Sequence, residues 1–269
     1  MITSPNNPRI SSVAALRKRR ARDTQRLFIV EGARPLGRAI AAGWPIVEVF
    51  YVRETVSESV SAVVDAAVAA DIAITEVGDR ALAKMAYRSD PEGVLGVAEY
   101  GAFSVHHMQV VPGGLYLVTE AVEKPGNIGA MLRTAEATGV AGLITADSGT
   151  DLTNPNVVRA SQGSLFSVPT AAASASEVRS WLDTNAIPAI AATPDDGGQT
   201  LWDVDLTGGV AVVIGSEHAG VSAKWDDVGR LSIPMSGTAD SLNAATSAAV
   251  IMFEAVRQRR RSADTSKPS

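Results

Sequence analysis

The chain of 269 residues contains no cysteine. This absence excludes disulfides, zinc sites built from thiolates, and any cysteine nucleophile. Enzymes that methylate pyrimidine C5 through a covalent cysteine adduct are therefore excluded as well. A chain without cysteine also fits a reducing compartment.

Long apolar runs are missing too. There is no stretch of about 18 consecutive apolar residues that would span a bilayer, and residues 1–9 lack the apolar centre of a signal peptide. We therefore expect a cytoplasmic protein with no membrane partner. Hydrophobic residues make up 46% and charged residues 20% of the chain, which is ordinary globular composition.

Positive charge is scarce overall but concentrated near the N-terminus. The net charge is −5, yet residues 1–40 hold nine Arg or Lys against two acidic residues. A local basic patch can neutralise RNA phosphates on an acidic protein, because salt screens distant charges. A solvated helix face explains the same pattern, and both interpretations stay open. The candidate RNA-binding residues are Arg9, Arg17, Lys18, Arg19, Arg20, Arg22 and Arg26.

Hydrophobic periodicity divides the chain into two α/β blocks. The first predicts strands at 28–31, 46–52, 72–77 and 94–99, with helices at 9–22, 32–42, 56–70 and 79–86. The second predicts strands at 115–119, 142–146, 187–192, 210–214 and 231–233, with helices at 126–138, 155–161, 175–184, 223–227 and 241–261. Strands that alternate with helices predict a mostly parallel sheet in the second block. We expect domains at 1–105 and 112–262 and a disordered tail at 263–269.

Polar segments follow three predicted strands of the second block, where open α/β sheets bind ligands. In the first segment, Glu120 precedes Pro125-Gly126-Asn127, a tight loop in which Asn127 is a candidate helix cap. Arg133 comes six residues later, so both side chains are candidates for one cleft. A plain strand–helix connection with an exposed Arg133 is the alternative.

The second segment is Gly215-Ser216-Glu217-His218-Ala219-Gly220, whose glycines allow backbone to approach a ligand closely. It matches neither the dinucleotide fingerprint nor the hydrolase elbow around a serine. The third segment runs from Ile233-Pro234-Met235 to Ser241-Leu242-Asn243, where a long helix is predicted to begin. A helix N-terminus binds anions, although Asp240 or Ser241 acting only as an N-cap explains the same pattern.

Together these segments resemble the SpoU (TrmH-type) branch of the SPOUT superfamily of RNA methyltransferases. The family pattern is an acid before Pro-Gly-Asn-x-Gly and Arg-Thr, then Gly-x-Glu-x-x-Gly, then Ile-Pro-Met followed by Ser-Leu-Asn. The N-terminal block is similar to the family's RNA-recognition domain of L30/L7Ae type, through Ser4-Pro5-Asn6-Asn7-Pro8 and residues 28–34. The resemblance covers nearly the whole chain. Glu120 stands where many members have Asp, and His218 where Gly is frequent.

The resemblance implies a fold, a cofactor and an assembly. It implies a C-terminal SPOUT domain with a trefoil knot, a homodimer, and S-adenosyl-L-methionine held by the knot loops. The implied cofactor-binding residues are Thr193, Ile214, Gly215, Glu217, Gly220, Ile233, Met235, Ser241, Leu242 and Asn243. The implied catalytic residues are Arg133, Asn127, Glu217, Ser241 and Asn243. No metal is needed.

The implied reaction is 2′-O-methylation of a ribose in structured RNA. The sulfonium methyl is already a good electrophile, so alignment supplies much of the rate, roughly 7–11 kcal/mol. Because Arg normally stays protonated, a hydrogen-bonding role suits Arg133 better than that of a literal base. A tRNA ribose methyltransferase and a non-catalytic RNA-binding SPOUT protein are the alternatives.

The substrate RNA is expected to be 23S rRNA. Arg outnumbers Lys 19 to 5, which indicates a GC-rich genome. Among SpoU members from such genomes, the chain is similar to the avilamycin-resistance type, which implies a role in resistance to ribosome-targeting antibiotics.

Overall fold

A computed structural model of the chain describes residues 1–194 and 198–265. These residues form two compact units that do not follow chain order. The first comprises Met1–Gly101 with Asp151–Ser167, and the second comprises Ala102–Thr150 with the chain from Val168 onward. The boundaries at 105 and 112 stay a prediction, and the grouping of 151–167 with the first unit was not predicted. Within the described residues, no helix is long and apolar enough to cross a membrane.

The helices are α1 (Pro8–Ala15), α2 (Arg19–Gln25), α3 (Ala33–Ala41), α4 (Glu58–Ala69), α5 (Asp79–Met85), α6 (Pro125–Thr138), α7 (Pro155–Ala160), α8 (Ala175–Thr184) and α9 (Ala244–Thr265). The strands are β1 (Leu27–Glu31), β2 (Ile46–Tyr51), β3 (Ala73–Glu76), β4 (Val94–Glu99), β5 (Leu115–Glu120), β6 (Gly142–Ala146), β7 (Thr170–Ala173), β8 (Ala189–Ala192), β9 (Gln199–Thr200), β10 (Val210–Ile214) and β11 (Gly229–Ser232).

The first unit is built on a four-stranded sheet in the order β1-β4-β2-β3. β4 is antiparallel to both of its neighbours, whereas β2 and β3 are parallel. α1 and α5 pack against each other, as do α3 and α4, and α7 packs on β1. The α/β character predicted for this block is confirmed.

The predicted helix over 9–22 is in fact two helices, and a buried side chain compensates for the break between them. The chain leaves α1 at Leu16 and re-enters a helix at Arg19, so the backbone carbonyls of Leu16 and Arg17 are left without helical partners. The buried guanidinium of Arg22 fills that gap by donating to both carbonyls at 3.1 Å. Periodicity did not reveal the break, because a charged residue was assumed to face solvent.

The second unit contains a seven-stranded sheet in the order β7-β6-β5-β10-β8-β11-β9. All of its neighbouring strands are parallel, which confirms the predicted parallel sheet. The sequence did not predict β7 or β9, because an Ala-rich run and a two-residue strand carry no clear alternation. A core that includes Tyr116, Trp181 and Trp225 packs around the sheet.

Strand register determines where the polar segments meet. Ile214 at the end of β10 lies beside Thr119 of β5 on one side and Ala192 of β8 on the other. Leu231 of β11 in turn pairs with Ala192. The segments that follow these strands therefore leave the same carboxyl edge of the sheet, which is where parallel sheets place ligands.

The last helix differs from its prediction at both ends. α9 begins at Ala244 rather than Ser241, because the Asn243 side chain accepts the N–H of Ala245 at 2.9 Å and so takes the capping position. It continues to Thr265, so residues 263–265 of the predicted disordered tail are helical. The rest of that tail, 266–269, lies outside the described residues.

Candidate functional site

The carboxyl edge of the second sheet holds a cavity of 540 Å³. Nine of the ten predicted cofactor-binding residues line it: Thr193, Ile214, Gly215, Glu217, Gly220, Ile233, Met235, Ser241 and Leu242. The tenth, Asn243, is outside the lining but hydrogen-bonds to Asn127 beside it. Segments that are far apart along the chain thus converge on one space.

The loop at the end of β10 is closed on itself. Ser216 and Gly220 exchange two backbone hydrogen bonds of 3.1 and 3.0 Å, and Gly220 has a φ of +65°. A Cβ on Gly215 would lie 2.1 Å from the carbonyl carbon of Gly220. Glycine is therefore required at 215 because two stretches of backbone cross there, rather than only because a ligand approaches.

A hydrogen-bond network joins the first, second and third segments. The amide nitrogen of Asn127 donates to Glu217 Oε1, and Asn243 Nδ2 donates to Asn127 Oδ1 at 3.3 Å. Lys124 Nζ lies 3.4 Å from Glu217 Oε1. The predicted capping role of Asn127 is wrong: it lies in the first turn of α6, and its side chain turns to these two residues instead of the helix backbone.

Glu120 is the acid of the first segment, and its role was not predicted. Its side chain is buried and accepts the backbone N–H and the hydroxyl of Ser222, each at 2.7 Å. The carboxylate therefore anchors the chain just beyond the Gly215–Gly220 loop to the end of β5. Its position at a strand end was the available signal, but nothing in the sequence identified Ser222 as its partner.

A second ion pair holds the same edge of the sheet. Lys224 Nζ donates to Asp147 Oδ2 at 2.8 Å, just after β6. This bond lowers the pKa of the Asp147 carboxyl below its usual value and raises the pKa of Lys224.

The chemistry of the lining fits an adenosyl ligand with a positive charge. Apolar side chains of Ile214, Leu231 and Ile233 form walls suited to a flat heterocycle. Asp240, which the sequence offered only as an N-cap candidate, also lines the cavity and has no hydrogen-bond or ion-pair partner in the described part of the chain. A carboxylate left without a partner favours a sulfonium or ammonium group nearby.

Arg133 does not share this cavity. Six residues of helix rotate its side chain about 120° away from that of Asn127, and it is exposed on α6, outside the lining. Among residues 1–194 and 198–265 it makes no hydrogen bond or ion pair. The six-residue spacing therefore separates the two side chains around α6, and the catalytic assignment of Arg133 stays a prediction.

The N-terminal basic residues differ widely in their availability. Arg22 is buried and paired with Asp151 at 2.6 Å, so the structure removes it from the predicted RNA-binding set. Arg9 is exposed but donates a hydrogen bond to Glu48. The Cζ atom of Arg26 lies 4.2 Å from the centroid of the Tyr100 ring, over which the guanidinium stacks. The others, Arg17, Lys18, Arg19 and Arg20, are exposed.

Comparisons with known proteins agree with this geometry. The SpoU rRNA Methylase family profile matches residues 114–253, and the MRM3-like substrate binding domain profile matches residues 7–96. A 23S rRNA (uridine(2479)-2′-O)-methyltransferase from Streptomyces viridochromogenes is 33% identical over 96% of this chain and 92% of its own length.

Solved structures give the same result. The SpoU methyltransferase AviRb from Streptomyces viridochromogenes, in complex with the cofactor AdoMet, matches with a TM-score of 0.84 and 31% identity over 95% of this chain and 99% of that one. A crystal structure of an RNA 2′-O ribose methyltransferase matches with a TM-score of 0.84 and 39% identity over 96% and 99%. With a family profile over half of the chain and a relative over nearly all of it, this chain belongs to the SpoU rRNA methylase family.

Proposed function

We propose that this chain is an S-adenosylmethionine-dependent methyltransferase that modifies the 2′-oxygen of a ribose in 23S rRNA. The observation that carries the proposal is the cavity at the carboxyl edge, where the three family segments meet around Glu217 and Asn127. The 23S rRNA relative supports the substrate, and the AdoMet complex of AviRb supports the cofactor.

The residues of this chain have separable tasks in that reaction. S-Adenosylmethionine supplies the electrophilic methyl group when it is bound. The closed loop from Gly215 to Gly220 shapes the pocket through its backbone, and the exposed carboxylate of Asp240 in the lining would attract the positive charge of the cofactor. Asn127 holds Glu217 of the cavity lining, and Asn243 in turn holds Asn127, so these side chains are positioned before RNA arrives.

Arg133 is assigned to the site of a second copy in a homodimer. It is exposed, has no partner within the described residues, and lies on α6, whose first turn carries Asn127, the hydrogen-bond donor to Glu217 of the cavity lining. α6 packs on α9, which exposes the large apolar side chain of Phe253. A guanidinium suits an RNA phosphate and the developing alkoxide, because it donates several hydrogen bonds in a planar fork.

Mixed dimers test this assignment. Arg133→Ala alone should lower kcat by about 100-fold, the scale for losing one positioned donor, with cofactor affinity unchanged. A mixture of Arg133→Ala with the cofactor-deficient Gly215→Val should recover part of the activity, because one mixed site has both intact parts. A folded Arg133→Ala with the wild-type rate in single-turnover methylation would remove Arg133 from the mechanism. Activity that fails to recover on mixing would place Arg133 in the site of its own chain.

The substrate is tested by comparing RNAs. Purified protein should methylate 23S rRNA transcripts, and removal of the protein from cells should abolish one 2′-O-methylation in 23S rRNA. Loss of a methyl group from tRNA instead would establish the tRNA alternative. Cofactor binding without transfer to either RNA would support the non-catalytic alternative.

Two narrower assignments belong to the same proposal. We infer a cytoplasmic location from the proposed rRNA substrate. A resistance role predicts that cells without the protein become more sensitive to a ribosome-targeting antibiotic of the avilamycin type, and unchanged sensitivity would leave a housekeeping role.

A further inference from the structure

An exposed tyrosine in the first unit is held in a fixed orientation, far along the chain from the methylation motifs. Tyr87 is 44% exposed, and its hydroxyl accepts a hydrogen bond of 2.9 Å from Asn156 Nδ2 on α7. Its backbone N–H donates to the buried carboxylate of Glu31 at 2.8 Å. Both ends of the residue are therefore anchored, while much of the ring remains open to solvent.

Two arginines hydrogen-bond to neighbours of Tyr87. Arg159 Nη2 donates to Asn156 Oδ1 at 3.4 Å, so one amide side chain connects the tyrosine and the guanidinium. Arg17 Nη1 donates to the carbonyl of Ala86, next to Tyr87, at 3.2 Å. Both arginines are exposed, and in the described part of the chain neither has a carboxylate partner. We call Arg17, Tyr87, Asn156 and Arg159 the Tyr87 patch.

The base of the patch is rigid. The segment that carries α7 is tied to α2 through the buried pair of Arg22 and Asp151, and Thr153 donates to Asp151 Oδ1 at 2.6 Å. The Asn154 side chain caps α7 by accepting the N–H of Asn156 at 2.9 Å. A rigid base keeps the ring and the two guanidinium groups in place before a ligand arrives, which lowers the entropy lost on binding.

We propose that the Tyr87 patch binds an unpaired nucleotide of the substrate RNA, with its base stacked on Tyr87 and its phosphates held by Arg17 and Arg159. Proteins bind single-stranded RNA through aromatic platforms beside positive charge, because every base has a π-face and every linkage a phosphate. The inference rests on the proposed function for the identity of the ligand as RNA, and extends it to a base-binding site in the first unit.

The test uses a labelled single-stranded RNA of about 12 nucleotides, a length within known single-strand site sizes, with 2-aminopurine at its centre. We expect Tyr87→Ala to weaken binding about tenfold, the scale for losing one stacked base. Tyr87→Phe keeps the ring and should stay close to the wild type. The wild type and Tyr87→Phe should quench 2-aminopurine fluorescence, and Tyr87→Ala should not.

The same RNA as a duplex separates stacking from phosphate contact. Its bases are not available, so Tyr87→Ala should leave duplex affinity unchanged. Arg159→Ala should reduce the slope of log affinity against log salt by about 0.7 for single strands. Arg53→Ala is the matched control, because Arg53 lies in the same unit with its charge already paired to Glu76 at 2.9 Å.

The results separate this inference from the proposed function. Unchanged affinity and quenching in Tyr87→Ala, with a wild-type melting temperature, would overturn the patch even if the enzyme methylates rRNA. If Tyr87→Ala melts early, Tyr87→Leu repeats the test with more apolar volume and no π-face, and is judged by the same quenching. Failure of the wild type to transfer methyl to any RNA would overturn the proposed function while leaving the quenching result standing.

Discussion

The cavity of the second unit and the basic helices of the first unit differ in whether their charged side chains have partners. At the cavity of the second unit, Glu217 and Glu120 are each held by hydrogen bonds from a neighbouring segment. On α1 and α2 of the first unit, Lys18 and Arg20 reach into solvent with no partner among the described residues. The first arrangement preorganises a pocket for a small ligand, whereas the second leaves mobile charge for a long polyanion.

Arg22 belongs to neither pattern, although its sequence context is that of the exposed arginines. It is buried against Asp151, Thr153 and the carbonyl of Leu16. Five donors in a fixed fork allow one guanidinium to meet several acceptors at once. A run of basic residues can therefore contain a structural residue, and only the fold distinguishes it.

The largest effect on stability is expected when the buried ion pair between Arg22 and Asp151 is broken. Arg22→Ala leaves the Asp151 carboxylate unpaired in the interior, so we expect the free energy of unfolding to fall by about 3–5 kcal/mol. Arg20→Ala is the matched control on the same helix and should stay within about 0.5 kcal/mol. Urea unfolding measures both, and equal stability of the two variants would show that Arg22 is as solvated as its neighbours.

The next largest effect is expected on cofactor affinity, at the point where the backbones of Gly215 and Gly220 approach each other closely. Gly215→Val forces apart the backbone of Gly220, which forms one side of the cavity. We expect S-adenosylmethionine affinity to fall about 100-fold, equal to about 2.7 kcal/mol and within the cost of overpacking. Gly237→Ala is the control, because a Cβ there meets nothing within 4 Å. Calorimetric titration with S-adenosylmethionine measures the affinity of both folded variants. Equal affinities would contradict the placement of this loop at the cofactor site.

A smaller effect is expected from the exposed charges. Replacing Lys18 and Arg20 with Ala should weaken RNA binding and reduce the salt slope by roughly 0.7–0.9 for each lost phosphate contact. The paired arginines Arg53 and Arg179, which bond to Glu76 and Asp227, provide a double-Ala control. If both double variants keep the wild-type slope, the basic helices are a solvated face only.

The same contrast explains what could be predicted from sequence. Cavity residues such as Gly215 and Ser241 were predictable, because their segments follow strands of a parallel sheet and must meet at one edge. Which arginine of α2 points inward was not predictable, because its partner Asp151 lies far along the chain. The surface that Arg133 faces was not predictable for a related reason, because spacing along a helix gives the angle between two side chains but not which surface each one faces.

The smallest effect concerns pH. The pKa of Asp147 is lowered in the folded protein because Lys224 donates to it. Its contribution to stability is therefore present above the unfolded value near 3.8 and is lost as the pH falls through the folded value. Lys224→Met should melt slightly earlier than the wild type at neutral pH, and this difference should vanish in acid. Lys84→Met, which removes an exposed lysine with no ion-pair partner in the described chain, should show no such difference.

The central claim is that the cavity beside Glu217 and Asp240 directs a methyl group onto a ribose oxygen of 23S rRNA. Nucleoside mass spectrometry of 23S rRNA incubated with the enzyme and methyl-deuterated S-adenosylmethionine tests this most directly. The account predicts deuterium in a single 2′-O-methylnucleoside, and none with Gly215→Val. Deuterium in a base-methylated nucleoside, or equal labelling by Gly215→Val, would contradict it.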